Sequence, residues 1–437
     1  MPIDFALSPS EEATRTAAAT FARTVLLPSR ATYLRESSHP ARFQATRPTY
    51  AIATAAGLIK GQIAPRLGGA ASSLTEAAIM VEECYAVEPS AALTIFATGL
   101  GLTPLNIAGD PARHAEFLAP FLNPKEGDAP LASLVFSEPG GVANALEKGG
   151  AGFRTTARYE KESDEWIVNG DKMWACNVAG WDFKGCDLAC VVCRDVTDGE
   201  ELREGETPSD RVMVILVTRA DLERNGEGAF AVVRHVSMPG HTTVSGPHVR
   251  YTNVRVPAKN VLCPPGQGAQ VVYGAFDASA VLVGAMSVGV MRAAFDAALA
   301  FGKRDDRGGA VPLLERQSFA DLLIGIKMAT EACRALTWKA AYALERGPGA
   351  YEARRELALA AKVYCSDAAV KAVMDAMSAV GITSYDLDQP FSELLNTATV
   401  LPIFDGGNVG IRRRHMQELM LSPTYDAWAA TYGPTTS

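Results

Sequence analysis

The sequence predicts an α+β protein in which a helical domain, a β domain and a second helical domain follow one another along the chain. Three observations predict this order. The length of 437 residues exceeds what one hydrophobic core usually organises. Both ends carry helical patterns, and a central stretch alternates β-branched and aromatic residues with polar ones. We place the domains at residues 1–130, 131–265 and 266–437.

The N-terminal domain is expected to be all α-helical. Stretches such as Ser73 to Ala86 and Ala91 to Ala108 are rich in alanine, leucine and other strong helix formers. Ser10, followed by Glu11 and Glu12, predicts the start of the first helix. A serine oxygen can accept an unpaired amide there, and acids in the first turn complement the helix dipole.

The middle domain is expected to be built from strands and turns. Glu162-Ser163-Asp164 predicts one hairpin turn, and Asn169-Gly170 predicts a second, because both of its residues tolerate positive φ. The polar segment from Asp195 to Asp210 is expected to be an exposed loop. Further strands are predicted at Leu188 to Cys193, Arg211 to Thr218 and Phe230 to Val236.

The C-terminal domain returns to helical periodicity after Cys263-Pro264-Pro265-Gly266 and keeps it to about Leu421. Gly347-Pro348-Gly349 should end one of its helices. Small residues should let another helix approach a neighbour closely: Gly284, Ala285, Gly289 and Ala293. Apolar or small residues at spacings of three and four indicate a helix: Leu322, Ile326, Ala329, Cys333, Leu336 and Ala340.

Composition excludes several classes of partner. Lys and Arg total 41 against 49 Asp and Glu, a net charge of -8 that repels nucleic acid and anionic membranes. The first 30 residues lack a signal-peptide pattern, and no window of about 18 apolar residues is apparent, so we expect a cytoplasmic protein without a membrane span. Eight dispersed cysteines indicate reduced thiols. We expect no metal, because Cys193 should face away from Cys186 and Cys190 on a strand.

No common nucleotide motif is present. Gly99-Leu-Gly-Leu-Thr-Pro lacks the third glycine and the preceding strand of a dinucleotide fold. The most informative segment is Phe404-Asp405-Gly406-Gly407-Asn408, where a glycine pair follows an acid and enters the last helix. Amides at such a helix start can accept a pyrophosphate. An ordinary turn followed by an N-cap is the alternative.

Four segments, read in order, resemble the flavin signatures of the acyl-CoA dehydrogenase superfamily. They are Leu134-Val-Phe-Ser137-Glu138-Pro139, Lys172-Met-Trp174-Ala-Cys176-Asn177, Val256-Pro257-Ala-Lys-Asn260-Val-Leu and Phe404-Asp405-Gly406-Gly407. The resemblance implies a middle β-barrel or sheet domain and a C-terminal four-helix bundle. Other strings resemble the superfamily's nitroalkane oxidase branch: Arg42-Phe-Gln-Ala-Thr-Arg-Pro48, Phe404 to Asn408, Arg412-Arg-Arg414 and Trp428-Ala-Ala-Thr-Tyr-Gly433.

The resemblance implies that FAD lies between the β domain and the C-terminal helices, in a homotetramer whose neighbouring subunit contributes Ala379, Val380 and Gly381. The other implied cofactor contacts are Leu134, Val135, Phe136, Ser137, Val142, Ala143, Asn144, Trp174, Ala175, Cys176, Arg307, Arg316, Gln317, Phe404, Gly406 and Gly407. Two residues depart from the family pattern. Cys176 replaces a serine or threonine and is a weaker donor, and Phe136 replaces a histidine, so ring packing is expected there.

The implied reaction converts neutral primary or secondary nitroalkanes and oxygen into aldehydes or ketones, nitrite and hydrogen peroxide. Asp405, where the dehydrogenases usually have a glutamate, would remove the α-proton, and the carbanion would add to flavin N5. Arg412 would keep Asp405 ionised and Ser279 would hydrogen-bond it. Local sequence alone also allows a surface arginine and a serine bonded to its own helix. Leu100, Phe276 and Phe404 would line an apolar substrate tunnel.

Two other functions stay open at this point. An acyl-CoA dehydrogenase or oxidase would use Asp405 on the α-proton of a thioester, although no groups for CoA phosphates can be identified. A non-catalytic flavin-binding scaffold would need neither Asp405 nor Arg412.

Overall fold

The structure is a computed structural model that describes residues 6–434. Its first segment is helical, as predicted. The helices are α1 Pro9–Phe21, α2 Leu27–Tyr33, α3 His39–Ala45, α4 Arg47–Ala55, α5 Leu74–Tyr85, α6 Pro89–Ala108 and α7 Pro111–Leu122.

The start of α1 differs from the prediction, because Ser8 is the cap and not Ser10. The Ser8 hydroxyl accepts from the Glu11 amide at 3.3 Å, and the Glu11 carboxylate accepts from the Ser8 amide at 2.7 Å. This reciprocal pair satisfies two unpaired amides at once. Ser10 lies inside the first turn and donates to Glu76 of α5 instead.

The middle segment forms one mixed sheet. Its strands are β1 Ala132–Val135, β2 Thr156–Glu160, β3 Glu165–Lys172, β4 Leu188–Asp195, β5 Val212–Thr218, β6 Phe230–Arg234, β7 His248–Pro257 and β8 Val261–Cys263, and helix α8 Arg219–Asn225 follows β5. The strand order in the sheet is β6-β7-β3-β2-β4-β5-β8, with β1 beside β4. Strand β4 runs parallel to β1 and β2 and antiparallel to β5.

The predicted turn at Asn169-Gly170 was wrong, because both residues lie inside β3. The pairing of β3 with β7 shifts register between Val168 and Gly170. Gly170 has φ +142°, and a Cβ there would lie 2.6 Å from the Cα of Thr155. Between these pairs β3 has one residue, Asn169, and β7 has two, Thr252 and Asn253, so the bulge lies on β7 opposite the Asn-Gly segment.

The C-terminal segment is a helical bundle. Its helices are α9 Gly268–Gly302, α10 Gln317–Arg346, α11 Tyr351–Val380, α12 Phe391–Val400, α13 Arg413–Met420 and α14 Ala429–Tyr432. The predicted small face of α9 allows close contact. A Cβ on Gly284 would lie 2.7 Å from Thr337 of α10, and one on Gly289 would lie 2.7 Å from Tyr85 of α5.

The expectation that no segment is apolar and long enough to span a membrane was wrong. Helices α6 and α9 pass that test by length and composition. Their most apolar windows are 72% and 61% buried inside the protein, as in core helices. Helix α6 packs against β1 and α9, and α9, which carries Ser279, also packs against α5, α10 and α11.

The three cysteines considered for a metal are all buried, at Cys186, Cys190 and Cys193. Strand β4 is covered on both faces, so alternation does not bring either face to solvent. Within residues 6–434, no group of three or more His, Cys, Asp or Glu side chains could hold a metal ion.

Candidate active site

Asp405 lies in the loop between α12 and α13 with a side chain only 8% exposed. Its φ is +53°, a left-handed conformation that is unusual for a residue with a Cβ. The Ser279 hydroxyl of α9 donates to Asp405 Oδ1 at 2.5 Å and also contacts the Phe276 carbonyl at 3.2 Å. Both proposed bonds of this serine, to the base and to its own helix, are therefore present.

Arg412 approaches Asp405 from a single turn of π-helix, Asn408–Arg412. Its Nη2 donates to Asp405 Oδ2 at 3.0 Å, and its Nε donates to the Asp405 carbonyl at 2.9 Å. The Arg412 side chain is 2% exposed, so the surface interpretation was wrong. Gly406 makes room for this return: it has φ +75°, and a Cβ there would lie 2.8 Å from Arg412 Nε.

Burial raises the pKa of Asp405, while Arg412, Ser279 and Lys362 oppose that rise. A buried carboxylate without those partners would hold its proton and could not act as a base. The site thus combines a carboxylate made more basic by burial with a cation and a hydroxyl that favour its ionised form.

Lys362 of α11 is a second cation near Asp405 and is completely buried. Burial lowers its pKa to about 8, although Asp405 favours its charged form. Its Nζ donates to Asn408 Oδ1 at 2.7 Å. The Asn408 amide nitrogen in turn donates to Ser366 Oγ at 3.0 Å and Asp367 Oδ1 at 2.9 Å. Asn408 therefore fixes the start of the turn that carries Arg412.

Asp277 lies on the other side of Arg412 and is 1% exposed. Its Oδ1 is 3.9 Å from Arg412 Nη1. Its Oδ2 accepts from Arg355 Nε at 2.7 Å and from the Tyr351 hydroxyl at 3.0 Å. Two buried carboxylates consequently flank one arginine.

The two predicted flavin segments lie side by side. Ser133 Oγ donates to the Cys176 carbonyl at 2.7 Å, and the Met173 amide donates to the Ser137 carbonyl at 2.9 Å. Lys172, fully buried beside Glu138 at 3.1 Å, donates to the Phe136 carbonyl at 2.9 Å. A buried ion pair thus supports the segment after β1.

These segments fit a flavin ring, which is flat and apolar with a polar edge. Trp174 has φ +67° and is 52% exposed between buried neighbours, which leaves an apolar surface beside polar main chain. Phe136 packs edge-on against Phe153 and Phe276, with centroids 5.3 Å and 5.1 Å apart, and its packing against a flavin stays a prediction. Burial raises the pKa of the Cys176 thiol to about 11, and it remains a weak neutral donor.

A second group of predicted cofactor residues lies at the other end of α9. The Arg307 guanidinium donates to the Val380 carbonyl, which brings Arg307 next to Ala379, Val380 and Gly381. Arg316 and Gln317 begin α10 in the same region. Ser279, which bonds Asp405, is 23 residues before the end of α9, a helix length of about 35 Å, and Arg307 follows that end.

The loop residues Val142, Ala143 and Asn144 lie near α13, where Arg414 donates to Asn144 Oδ1 at 2.5 Å and also contacts the Ala143 carbonyl. Gly407 caps the π-turn, and the Asn408 amide donates to the Pro402 carbonyl at 2.9 Å. That amide is thus already bonded. A pyrophosphate role for Gly406 and Gly407 stays a prediction.

The three predicted tunnel residues each have their own contacts. Phe276 lies under Arg412, whose Cζ is 5.9 Å from the ring centroid. Phe404 stacks near His241 at 6.2 Å between centroids. Leu100 of α6 is partly buried against the core, and contact with either phenylalanine stays a prediction.

Asp277, Lys362 and Asn408 are site residues that sequence reasoning missed. Asp277 and Lys362 each interrupt an otherwise apolar helical stretch. A charge in such a stretch requires a partner once buried, and this signal could have found both.

The chain matches two acyl-CoA dehydrogenase domain families, the N-terminal domain over residues 8–125 and the C-terminal domain over residues 266–421. It is 72% identical over 434 residues to nitroalkane oxidase of Podospora anserina, with 99% of each chain covered. A solved Podospora anserina nitroalkane oxidase superposes with TM-score 0.95 at 71% identity, covering 99% of this chain and 100% of that chain. An active-site variant of nitroalkane oxidase crystallised with 1-nitrooctane superposes with TM-score 0.95 at 45% identity and the same coverage.

Proposed function

The chain belongs to the acyl-CoA dehydrogenase family and, within it, to the FAD-dependent nitroalkane oxidases, and from that premise we propose that Asp405 is the base that removes the α-proton of the nitroalkane. The activity of relatives at this identity decides against an acyl-CoA dehydrogenase and against a non-catalytic scaffold. The observation that carries the role of Asp405 is its position, buried between Ser279 and Arg412.

The proposed step breaks the C–H bond next to the nitro group and forms an O–H bond on Asp405. The electron pair stays on the substrate and is delocalised into the nitro group, which gives a nitronate. A carboxylate has about four lone-pair sites, and Ser279 and Arg412 occupy one on each oxygen. Each oxygen therefore retains a site that can receive the proton.

FAD, held by the segments around Val135 to Ser137 and Trp174 to Cys176, supplies the acceptor for the substrate's electrons and the means of passing them to oxygen. The protein's own part is to exclude water and to orient the carbon. Phe136 and Phe276 form an aromatic wall beside Asp405 and Arg412. We propose unbranched nitroalkanes as substrates, since one relative was crystallised with 1-nitrooctane.

The test is anaerobic mixing of the purified yellow protein with 1-nitrooctane while flavin absorbance is followed, and then admission of oxygen with assays for nitrite and peroxide. Bleaching with stoichiometric nitrite in the native protein, lost in Asp405→Asn, is the expected result. Bleaching by an acyl-CoA and by no nitroalkane would overturn the proposal.

We also propose a homotetramer in which the group around Arg307 serves the cofactor of another subunit. Two features support this. The separation of about 35 Å along α9 is too long for one FAD to reach both groups within a subunit. The surface next to Gly381 is apolar and exposed, with Ile382 at 80%, Tyr385 at 79% and Leu387 at 86%.

An apolar groove of about 860 Å³ between α10, α11 and α13 is a further surface for such contacts. Sedimentation velocity should give four times the chain mass of 46.3 kDa. A monomer that retains FAD and full activity would contradict the tetramer and leave the role of Asp405 untouched.

A further inference from the structure

Arg412 lies between two carboxylates, and only one of them is hydrogen-bonded to it. Its Nη2 donates to Asp405 Oδ2 at 3.0 Å, to the Asp405 carbonyl at 2.6 Å and to the Phe276 carbonyl at 3.1 Å. Its Nη1 lies 3.9 Å from Asp277 Oδ1, a buried oxygen with no hydrogen-bond partner within the described residues. A buried carboxylate oxygen left without a donor costs free energy, so its retention beside Arg412 needs a reason.

The rest of Asp277 is firmly anchored. Arg355 and Tyr351 of α11 both donate to Oδ2, while Oδ1 points toward the catalytic arginine. His415 contacts Arg355, with its Nδ1 3.3 Å from Arg355 Nη2. Burial and the neighbouring arginines lower the pKa of His415 to about 4, so it adds no charge near neutral pH.

Proton transfer changes the charge that Arg412 experiences. Before the reaction, ionised Asp405 balances Arg412. When Asp405 accepts the α-proton it becomes neutral, and Arg412 would be a buried cation without a counter-charge beside it. Asp277 is the carboxylate already in position on the opposite side.

We propose that Asp277 is a positioning residue that holds Arg412 from the side opposite Asp405 and balances its charge once Asp405 has accepted the substrate proton. This inference rests on the proposed function of Asp405. Because Asp277 shares Arg412, it also limits how strongly Arg412 acidifies Asp405, and the base stays basic enough to take a proton from carbon.

The groups around Asp405 and Asp277 determine the direction in which the pKa of Asp405 should shift. Asp405 is faced by Arg412, Ser279 and Lys362, and Asp277 by Arg412, Arg355 and Tyr351. Removing the charge of Asp277 leaves Arg412 to Asp405 alone, which lowers the pKa of Asp405 and makes it a weaker base. In the plot of reaction rate against pH, the fall in rate on the acid side, here called the acid limb, should therefore move to lower pH. The maximal rate should fall as well.

The experiment compares Asp277→Asn with native holoenzyme on neutral 1-nitrooctane and on its preformed nitronate, which needs no proton abstraction. We expect about tenfold slower flavin reduction by the neutral substrate, an acid limb lowered by about half a pH unit, and nitronate rates within about twofold of native. Asp296→Asn, the same change at an exposed position of α9, is the matched control and should alter none of these.

Equal losses on both substrates would show a merely structural role and overturn the proposal, as would unchanged rates and an unmoved limb. Should Asp277→Asn not fold with FAD, Arg355→Met provides the second arm. It frees Asp277 to pair with Arg412 and should raise the acid limb, and no shift there would contradict the proposal. Native protein that reacts with neither substrate would instead refute the proposed function itself.

Discussion

Two buried charge clusters in this protein hold their carboxylates differently. The first joins α5 to α9 and α10, where Arg292 bonds Glu82 at 2.8 Å and Glu83 at 2.9 Å, and Arg334 bonds Glu82 at 2.9 Å. The second surrounds Asp405, in the loop after α12, and Asp277, in the first third of α9. Both clusters are made of arginines and acids, but among the described residues only the second has a buried acid oxygen without a hydrogen-bond partner.

The first cluster stabilises the packing of helices, whereas the second holds the carboxylate proposed as the base. In the first cluster, direct pairing holds three helices together, and the Glu82 and Glu83 side chains are each 7% exposed. In the second, Asp405 has a strained φ of +53° and a pKa raised by burial. Strained backbone and a perturbed carboxyl are typical of functional sites, where pairing is kept incomplete.

Among the residues that bond Asp405, replacing Arg412 by Met should have the largest effect. Losing its cation raises the pKa of buried Asp405 further, so the base keeps its proton near neutral pH and the acid limb moves to higher pH. We expect kcat/KM for 1-nitrooctane to fall about 10³-fold. The pH profile measures this, and Arg413→Met, at a neighbouring side chain that is 60% exposed, should behave as native.

Glu82→Gln should break the first cluster and change stability without changing the reaction. It leaves Arg292 and Arg334 short of one counter-charge in a mostly buried place, and we expect a loss of about 1–3 kcal/mol of unfolding free energy. Thermal unfolding measures this. Glu331→Gln removes a 51% exposed partner of the same Arg334 and should cost less than about 1 kcal/mol. A lower rate per bound FAD in Glu82→Gln would remove the distinction between the clusters.

Glu88 sharpens the comparison, because it is a buried carboxylate whose Oε2 has no hydrogen-bond partner within residues 6–434. Burial raises its pKa from 4.5 to about 7. Below about pH 4.5 both folded and unfolded chains hold the proton, whereas between 4.5 and 7 the unfolded chain releases it first, so folding stability falls as pH rises. Glu88→Gln should therefore raise Tm by a few degrees at pH 8 and hardly at all at pH 4. A lower Tm at pH 8 would contradict this.

Ser279→Ala should give the smallest of these effects. Its hydroxyl stabilises ionised Asp405 through one bond at 2.5 Å, so we expect about a tenfold slower flavin reduction and a slightly higher acid limb. Ser287→Ala is the matched control, because Ser287 lies on the same helix and, among residues 6–434, its hydroxyl bonds only the Val283 carbonyl of its own helix at 2.8 Å. Equal losses in both variants would attribute the effect to helix packing.

The order of helices, sheet and bundle was predictable, and so were Asp405, Arg412 and Ser279, because periodicity and family motifs are local in sequence. The turn predicted at Asn169-Gly170 was wrong, because pairing with β7 decides whether this segment continues as a strand or turns, and pairing is a property of the whole sheet. Asp277 was missed because its partners lie about 75 residues or more away, on α11 and the π-turn. A charge within an apolar helical stretch marks Asp277 as needing a partner, but the local sequence does not say which residues that partner comes from.

The most direct test of Asp405 as the base is flavin reduction by Asp405→Asn with neutral 1-nitrooctane and with its preformed nitronate, each mixed anaerobically and compared with native protein. The account predicts a loss of 10³-fold or more, roughly, with the neutral substrate and a nearly native rate with the nitronate. Native-like reduction by the neutral substrate, or an equal loss with both, would contradict it.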